Sequence, residues 1–433
     1  MTAPARPGTS FTTEVAARYG TPAYVYDLDR VTAARADLFA ALPEGFEVFY
    51  AAKANPHPEI LRAVRTGPGP GCRAEISSTG ELDAALEAGF AGADILYTGP
   101  GKTAEEIGEA LTRGVRVFSV ESLGDLRRVG EIANTLGVRA DCLLRINNAT
   151  GATATGIRMT GVPSQFGFDL ETLPELAAEL RSVPGTTVVG LHFFPLSNAK
   201  DEAGLIAEFR HTIATAAALR DTLGLDLRLL DIGGGFAAPY VVQGDRPVYR
   251  ELRAALTETL DEHLPEWRAG APRVAVESGR YLVADSGTLV TGVVNVKDSR
   301  GRRFAIVDAG INTLGGMSGL GRILPVSVEP HEARGPHAAH GIPAEPDAAD
   351  PARVTLAGPL CTPGDVLGRE VPLPDPAPGD LLSVPNAGAY GPTASLLMFL
   401  GRPAPAEIVT RGDTVHSVSR IHHTRAYEHG APR

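Results

Sequence analysis

Glu47-Val48-Phe49-Tyr50-Ala51-Ala52-Lys53-Ala54-Asn55 is the stretch from which the fold is read. A short apolar run of strand character ends on a lysine set among small residues. The figure recurs down the chain, at 72–77, 94–97, 115–120, 141–146, 188–194, 227–232 and 273–276. Between these runs lie Ala/Leu/Glu-rich segments of helical period, such as 81–88, 104–112, 173–180 and 205–222. Strand and helix alternating eight times within about 240 residues predict an α/β fold, a closed (β/α)8 TIM barrel. The same alternation permits an open doubly wound sheet, but eight units favour closure.

Parallel barrels gather their chemistry at the C-terminal ends of the strands. Here the first run ends on Lys53, and the sixth on Phe194 with Ser197 just beyond. The seventh opens into Gly233-Gly234-Gly235, and the eighth ends in Glu277-Ser278-Gly279-Arg280. Beyond Tyr281 the helical period fades. Runs at 287–297, 303–307, 353–356 and 381–384 alternate with Gly/Pro turns, which predicts an all-β sandwich or barrel. The Pro/Ala/His-rich stretch 329–351 reads as a loop excursion, and the strand-like 23–27 as an addition to the β domain. The expected division is a barrel over 31–284, and a discontinuous all-β domain from 1–30 with 285–433.

The 433 residues exceed one comfortable core and agree with two domains. Forty basic against 51 acidic residues give a net charge of −11, which disfavours nucleic acid or an anionic membrane as partner. Cys72, Cys142 and Cys361 are too few and too scattered for a disulfide framework or zinc site, so no metal is expected. No run approaches the ~20 apolar residues of a membrane span, and residues 1–10 lack a signal-peptide core. A cytoplasmic setting is expected.

Lys53 after an apolar strand points into a barrel mouth, where desolvation lets its amine lose a proton and attack an aldehyde. A lone lysine is ordinarily a solvated surface group. Gly233–Gly235 offer backbone N–H groups for a phosphate, although a glycine turn is more often a tight connection. Glu277 after Val274-Ala275-Val276 can hold a pyridine nitrogen protonated. A Glu–Arg pair closing a barrel end is as ordinary. Cys361, in Gly358-Pro359-Leu360-Cys361-Thr362-Pro363-Gly364-Asp365, reads as an exposed thiol or an inert small hydrophobe. Tyr390 lies among small residues in Asn386-Ala387-Gly388-Ala389-Tyr390-Gly391, its hydroxyl open to a ligand unless the loop packs it.

Together these segments resemble the fold-type III pyridoxal-phosphate decarboxylases, the family of diaminopimelate and ornithine decarboxylases. Tyr50 to Asn55 is similar to the cofactor-lysine motif, and Glu75 stands in the acidic position of the second-strand motif. Gln165-Phe166-Gly167 resembles a Lys-Phe-Gly segment, and four further motifs follow in order between about residues 21 and 409. The resemblance implies pyridoxal 5'-phosphate as cofactor, with Lys53 holding its aldehyde and Glu277 its ring nitrogen. It places Ser197, Gly234, Gly235, Gly279 and Arg280 around the phosphate, joined by Tyr390. It implies a homodimer with shared active sites, in which the partner subunit's cysteine at position 361 returns a proton after carbon dioxide leaves.

Two departures from the pattern matter. Where the family carries His-x-Gly-Ser, this chain has Phe194-Pro195-Leu196-Ser197, leaving Phe194 to stack on the ring and His192 deeper. Diaminopimelate and ornithine decarboxylases also carry an acid after the cysteine, where it reads the substrate's distal amine; here it is Thr362. The segment 308–322 and Phe399-Leu400-Gly401-Arg402-Pro403 are more similar to decarboxylases of siderophore and secondary-metabolite pathways. The expected substrate is therefore an L-α-amino acid or amino-acid conjugate without a free distal amine, free or carrier-tethered, with Arg322 reading a distal acidic group. Alternatives are diaminopimelate decarboxylase, an amino-acid racemase (against which Glu277 argues) and a non-catalytic cofactor-binding protein.

Overall fold

The computed structural model describes residues 9–148, 157–158, 163–199, 201–315, 326–334 and 353–426. It divides into two compact units, the first holding Arg30–Ala238 and Asp245–Val283. Eight parallel strands close into a barrel in that unit. They are β1 (Glu47–Ala51), β2 (Arg73–Ile76), β3 (Ile95–Tyr97), β4 (Val117–Val120), β5 (Ala140–Asn147), β6 (Thr186–Phe193), β7 (Leu229–Asp231) and β8 (Arg273–Ser278). Strand β8 pairs back onto β1, Glu277 opposite Phe49, and β4 meets β5, Val117 opposite Asp141, so no edge is left. The barrel expected from the alternation is the one observed; β6 ends at Phe193, one residue short of Phe194.

Helices start where the sequence supplies caps. Thr103 and Glu106 form a reciprocal capping box on Ala104–Thr112, and Ser78, Ser122 and Asp201 cap three others through their side-chain oxygens. Inside the barrel Phe49, Leu96, Leu143, Val189, Leu229 and Ala275 pack as one buried cluster. Strand alternation then dictates the next layer: two residues past Leu229 and Ala275, the same face carries Asp231 and Glu277.

The second unit comprises Pro239–Gly244, Ala284–Arg433 and the chain before Arg30 down to Pro4, as far as these are described. Strand Gly287–Ser299 organises it. Along its first half it pairs with Ala23–Asp27 and with Asp380–Val384, and along its second half with Arg302–Val307. Ala23–Asp27 pairs in parallel with Ala406–Arg411 on its other edge, so the N-terminal strand does join the β unit. Helix Thr9–Tyr19 covers this sheet through Val15 and Ala16, against Val25, Val290 and Ile408.

Two expectations need correction. Glu329–Arg334, read as part of a loop excursion, is a strand on Asp380–Val384; 335–352 lie outside the described residues. Residues 239–244, read as barrel, group with the β unit: Val241 N–H donates to the Asn386 carbonyl (3.2 Å), and the Asn386 amide to Val242 and Gly244 (2.7 and 3.1 Å).

Candidate active site

Lys53 stands in a single 3-10 turn, Ala52–Ala54, directly beyond β1. Its side chain remains 46% exposed, with Nζ 3.3 Å from Glu75 Oε2 and 5.5 Å from the centre of the Phe194 ring. The β1–β2 register sets this meeting, because Glu75 lies opposite Ala51, two residues before Lys53. Glu75 is buried and also accepts the Thr98 hydroxyl. Nearby Glu81 accepts the Ser77 N–H (2.6 Å); burial, then the Glu75 charge, push its carboxyl up to about 7.

The glycine turn after β7 allows an approach that side chains would block. A Cβ on Gly234 would lie 2.7 Å from the Glu277 carbonyl and 3.2 Å from the Phe194 ring; Gly233 and Gly235 have φ of +79° and +116°. The turn is tied on both sides, Glu277 N–H donating to the Gly233 carbonyl (2.9 Å) and Ala199 N–H to the Gly235 carbonyl (2.8 Å). Gly279 is as constrained: its Cβ would come within 2.9 Å of the Ala54 Cβ. Arg280 opens a short helical turn, and Ser197 pairs in a two-residue strand with Ile157.

Beneath this rim lies a buried His192–Asp231–Glu277 cluster whose ligand-type atoms are all within 4.8 Å. His192 Nδ1 is 2.6 Å from Ser119 Oγ, and its Nε2 is 3.1 Å from Glu277 Oε1, near enough for an ion pair but off the line of a hydrogen bond. Asp231 accepts the Gly233 N–H (2.9 Å) and leaves Oδ2 unpartnered. Burial, then the Glu277 charge, raise the Asp231 carboxyl to about 7. Burial would lower His192, but Glu277 and Asp231 offset it and the ring stays above its usual value. Burial would raise Glu277, but His192, Lys53 and Arg145 hold it below the usual carboxylate range. Arg145 on β5 pairs with buried Glu121 (3.1 Å) and lies 4.7 Å from the Phe166 ring centre. Glu121 in turn accepts the Gly167 N–H (2.7 Å), which places the Gln165-Phe166-Gly167 segment.

The structure thus brings together Lys53, Glu75, Phe194, Gly234 and Glu277 of the expected residues. Asp231, Ser119 and Arg145 were missed; the signal for Asp231 was its place two residues after Leu229 on one strand face.

In the second unit Cys361 is exposed, on a loop pinned by Asp365. That carboxylate accepts the N–H groups of Ile311 (2.8 Å) and Leu360 (2.6 Å), and Gly310 and Gly358 leave it room. Thr362 follows half-buried. Tyr390 has a left-handed φ of +52°, its carbonyl accepts the Tyr240 hydroxyl (3.1 Å), and the two rings meet edge-on at 6.2 Å. Arg322 lies outside the described residues.

The barrel residues fit a phosphorylated pyridine aldehyde. A buried carboxylate oxygen of Glu277 lacks a hydrogen-bond partner, an accessible amine stands nearby, and the Gly234 backbone is bare where a Cβ would intrude.

The chain matches the family model of the pyridoxal-dependent decarboxylases, pyridoxal binding domain, over residues 28–284. It is 31% identical over 414 residues to the L-glutamyl-[BtrI acyl-carrier protein] decarboxylase of Niallia circulans, covering 94% of this chain and 93% of that one. It is 32% identical over 410 residues to the diaminopimelate decarboxylase of Methanothermobacter thermautotrophicus, covering 94% and 90%. The crystal structure of Helicobacter pylori diaminopimelate decarboxylase complexed with L-lysine matches with a TM-score of 0.76 at 27% identity, over 92% and 93% of the two chains. The chain therefore belongs to the pyridoxal-dependent decarboxylases, and so is an amino-acid carboxy-lyase that works with pyridoxal 5'-phosphate. Among the described residues no helix is long and apolar enough to cross a membrane.

Proposed function

We propose that this decarboxylase acts on an L-α-amino acid or amino-acid conjugate lacking a free distal amine, in a specialised biosynthetic pathway. The observation that carries this reading is the setting of Thr362. It lines an apolar groove of about 890 Å³ together with Ile311, Leu396, Met398, Phe399 and Ile421, and among the described residues no carboxylate lines that groove. A cationic side chain seated there finds no counter-ion in the groove lining, which favours a neutral or acidic one. Similarity to a glutamyl-carrier decarboxylase supports the reading, while similarity to diaminopimelate decarboxylases at comparable identity keeps lysine formation as the alternative.

Pyridoxal phosphate, when bound, supplies an electron sink for the bond that releases carbon dioxide. Lys53 is assigned its aldehyde end, Glu277 its ring nitrogen and Phe194 its ring face. Glu75 keeps the Lys53 amine in place. Ser197, Gly234, Gly235, Gly279 and Arg280 are assigned its phosphate, with Tyr390. Cys361, supplied by the partner subunit of a homodimer, is assigned the return of a proton to the carbon that lost its carboxyl group. An acidic surface of net charge −11 offers no general attraction for an acidic carrier protein, so free and tethered substrates both belong in the test.

Carbon dioxide release from cofactor-loaded protein is measured on meso-diaminopimelate, ornithine, lysine and arginine. Glutamate, free and carrier-tethered, and citrate–amino-acid conjugates complete the panel. Turnover confined to neutral, acidic or tethered substrates is expected, and fast turnover of a cationic one overturns the reading. Thr362→Glu is expected to raise the preference for cationic over neutral side chains by about tenfold or more.

A further inference from the structure

The imidazole of His192 is buried between two partners, and no role above uses it. On one side Ser119 of β4 holds Nδ1 at 2.6 Å; on the other Nε2 faces Glu277 Oε1 of β8 at 3.1 Å. Its own strand, β6, places it opposite Asp231 of β7 and, on the other edge, opposite Arg145 of β5. Asp231 and Glu277 are 0% and 3% exposed, so water does little to compensate either carboxylate. The Ser119 backbone is fixed as well, because its carbonyl accepts from the buried Lys102 amine at 2.8 Å.

We propose that His192 is a positioning residue for Glu277: gripped by Ser119, it fixes the Glu277 carboxylate in place and in its charged form for the cofactor's ring nitrogen. Two carboxylates this close, Asp231 and Glu277, cannot both stay ionised in a dry site without a cation between them. Lys53 and Arg145 act on Glu277 as well, and Glu75 on Asp231, while the His192 nitrogen stands within ion-pair distance of Glu277. As an imidazolium it carries an N–H on each nitrogen, one held by Ser119 Oγ and one facing Glu277 within ion-pair distance, while the buried Asp231 carboxyl beside it is raised. The inference rests on the assignment of Glu277 to the ring nitrogen.

The test compares the unaltered holoenzyme with His192→Gln, Glu277→Gln and the double variant. The readouts are the pyridoxal phosphate dissociation constant and the absorption bands from about pH 6 to about pH 9. His192→Gln is expected to weaken cofactor binding about tenfold and to shift the pH of the spectral transition, within the coupling seen for residues in contact. Added to Glu277→Gln, it should change the constant by less than about twofold. Equal penalties in both backgrounds overturn the proposal and reduce His192 to packing. Should Glu277→Gln by itself leave both constant and bands unmoved, the ring-nitrogen assignment is what fails. Ser119→Ala keeps the imidazole and is expected to act in the same direction by a few-fold, so the question stays decidable if His192→Gln does not fold. In the cofactor-free protein, Glu277→Gln should lower the pH at which the His192 ring titrates by nuclear magnetic resonance; no movement counts against the proposal.

Discussion

Lys53 and Lys102 both stand just past the C-terminal ends of barrel strands, β1 and β3, yet their surroundings are opposite. Lys102 is buried to 1% exposure, donates to the Gly99 and Ser119 carbonyls at 2.5 and 2.8 Å, and pairs with Asp125 at 2.8 Å. All three ammonium protons have short partners. Lys53 meets its carboxylate at 3.3 Å and keeps 46% of its side chain open. A buried cation survives only when its geometry is saturated, whereas an amine that must react needs slack and access. The contrast separates a lysine that builds the barrel from the one proposed to hold the cofactor.

Removing each amine should break the comparison cleanly if it is wrong. Lys53→Ala is expected to cut decarboxylation by a factor on the order of 10³ or more, while unfolding free energy changes by less than about 1 kcal/mol. Lys102→Ala strands buried Asp125 and should cost about 3–5 kcal/mol in urea unfolding. Interchanged outcomes, with Lys53 stabilising and Lys102 catalytic, would refute the distinction.

The three cysteines repeat the contrast between buried and accessible groups. Cys72 and Cys142 are buried, and burial pushes the Cys72 thiol up to about 12 despite nearby Arg35; Cys361 is exposed. A thiol reagent on the native protein is expected to label Cys361 and leave the others, read by peptide mass spectrometry. Cys361→Ala should lower kcat by about 10²–10⁴ with the cofactor dissociation constant unchanged. A loss of cofactor binding instead would move Cys361 from proton return to packing.

Much of this was legible in the chain. The barrel strands lay within two residues of their expected ends because each is bounded by Gly, Pro or charge, and closure followed from counting. Glu277 was legible because period-two alternation puts it on the same β8 face as Ala275, and Lys53 because it closely follows an apolar strand. The β unit was less so. Val366–Pro372 and Thr414–Arg420 are edge strands with polar, exposed positions and no clean alternation. His192 and Ser119 were unreadable as a pair because they meet across β4, β5 and β6, a contact only closure of the barrel creates. Asp365 looks like any loop carboxylate until Gly310 and Gly358 are brought to it.

Two buried glutamates give the smallest and sharpest test. Glu277 is held below its usual range by the cations around it, whereas Glu407, accepting the Tyr26 hydroxyl at 3.2 Å in the β unit, is pushed by burial up to about 7. A raised carboxyl pKa means that between its ordinary value of 4.5 and about 7 the folded chain holds a proton the unfolded chain has lost. Stability from Glu407 is therefore present below that window and declines as pH rises through it, by about 1–3 kcal/mol in all. Glu407→Gln keeps an acceptor for Tyr26 but carries no charge to bury. Its urea midpoint should fall less than that of the unaltered protein between about pH 5 and about pH 8. Parallel declines would mean that Glu407 ionises freely in the fold, and that burial alone does not distinguish the carboxylates of the two units.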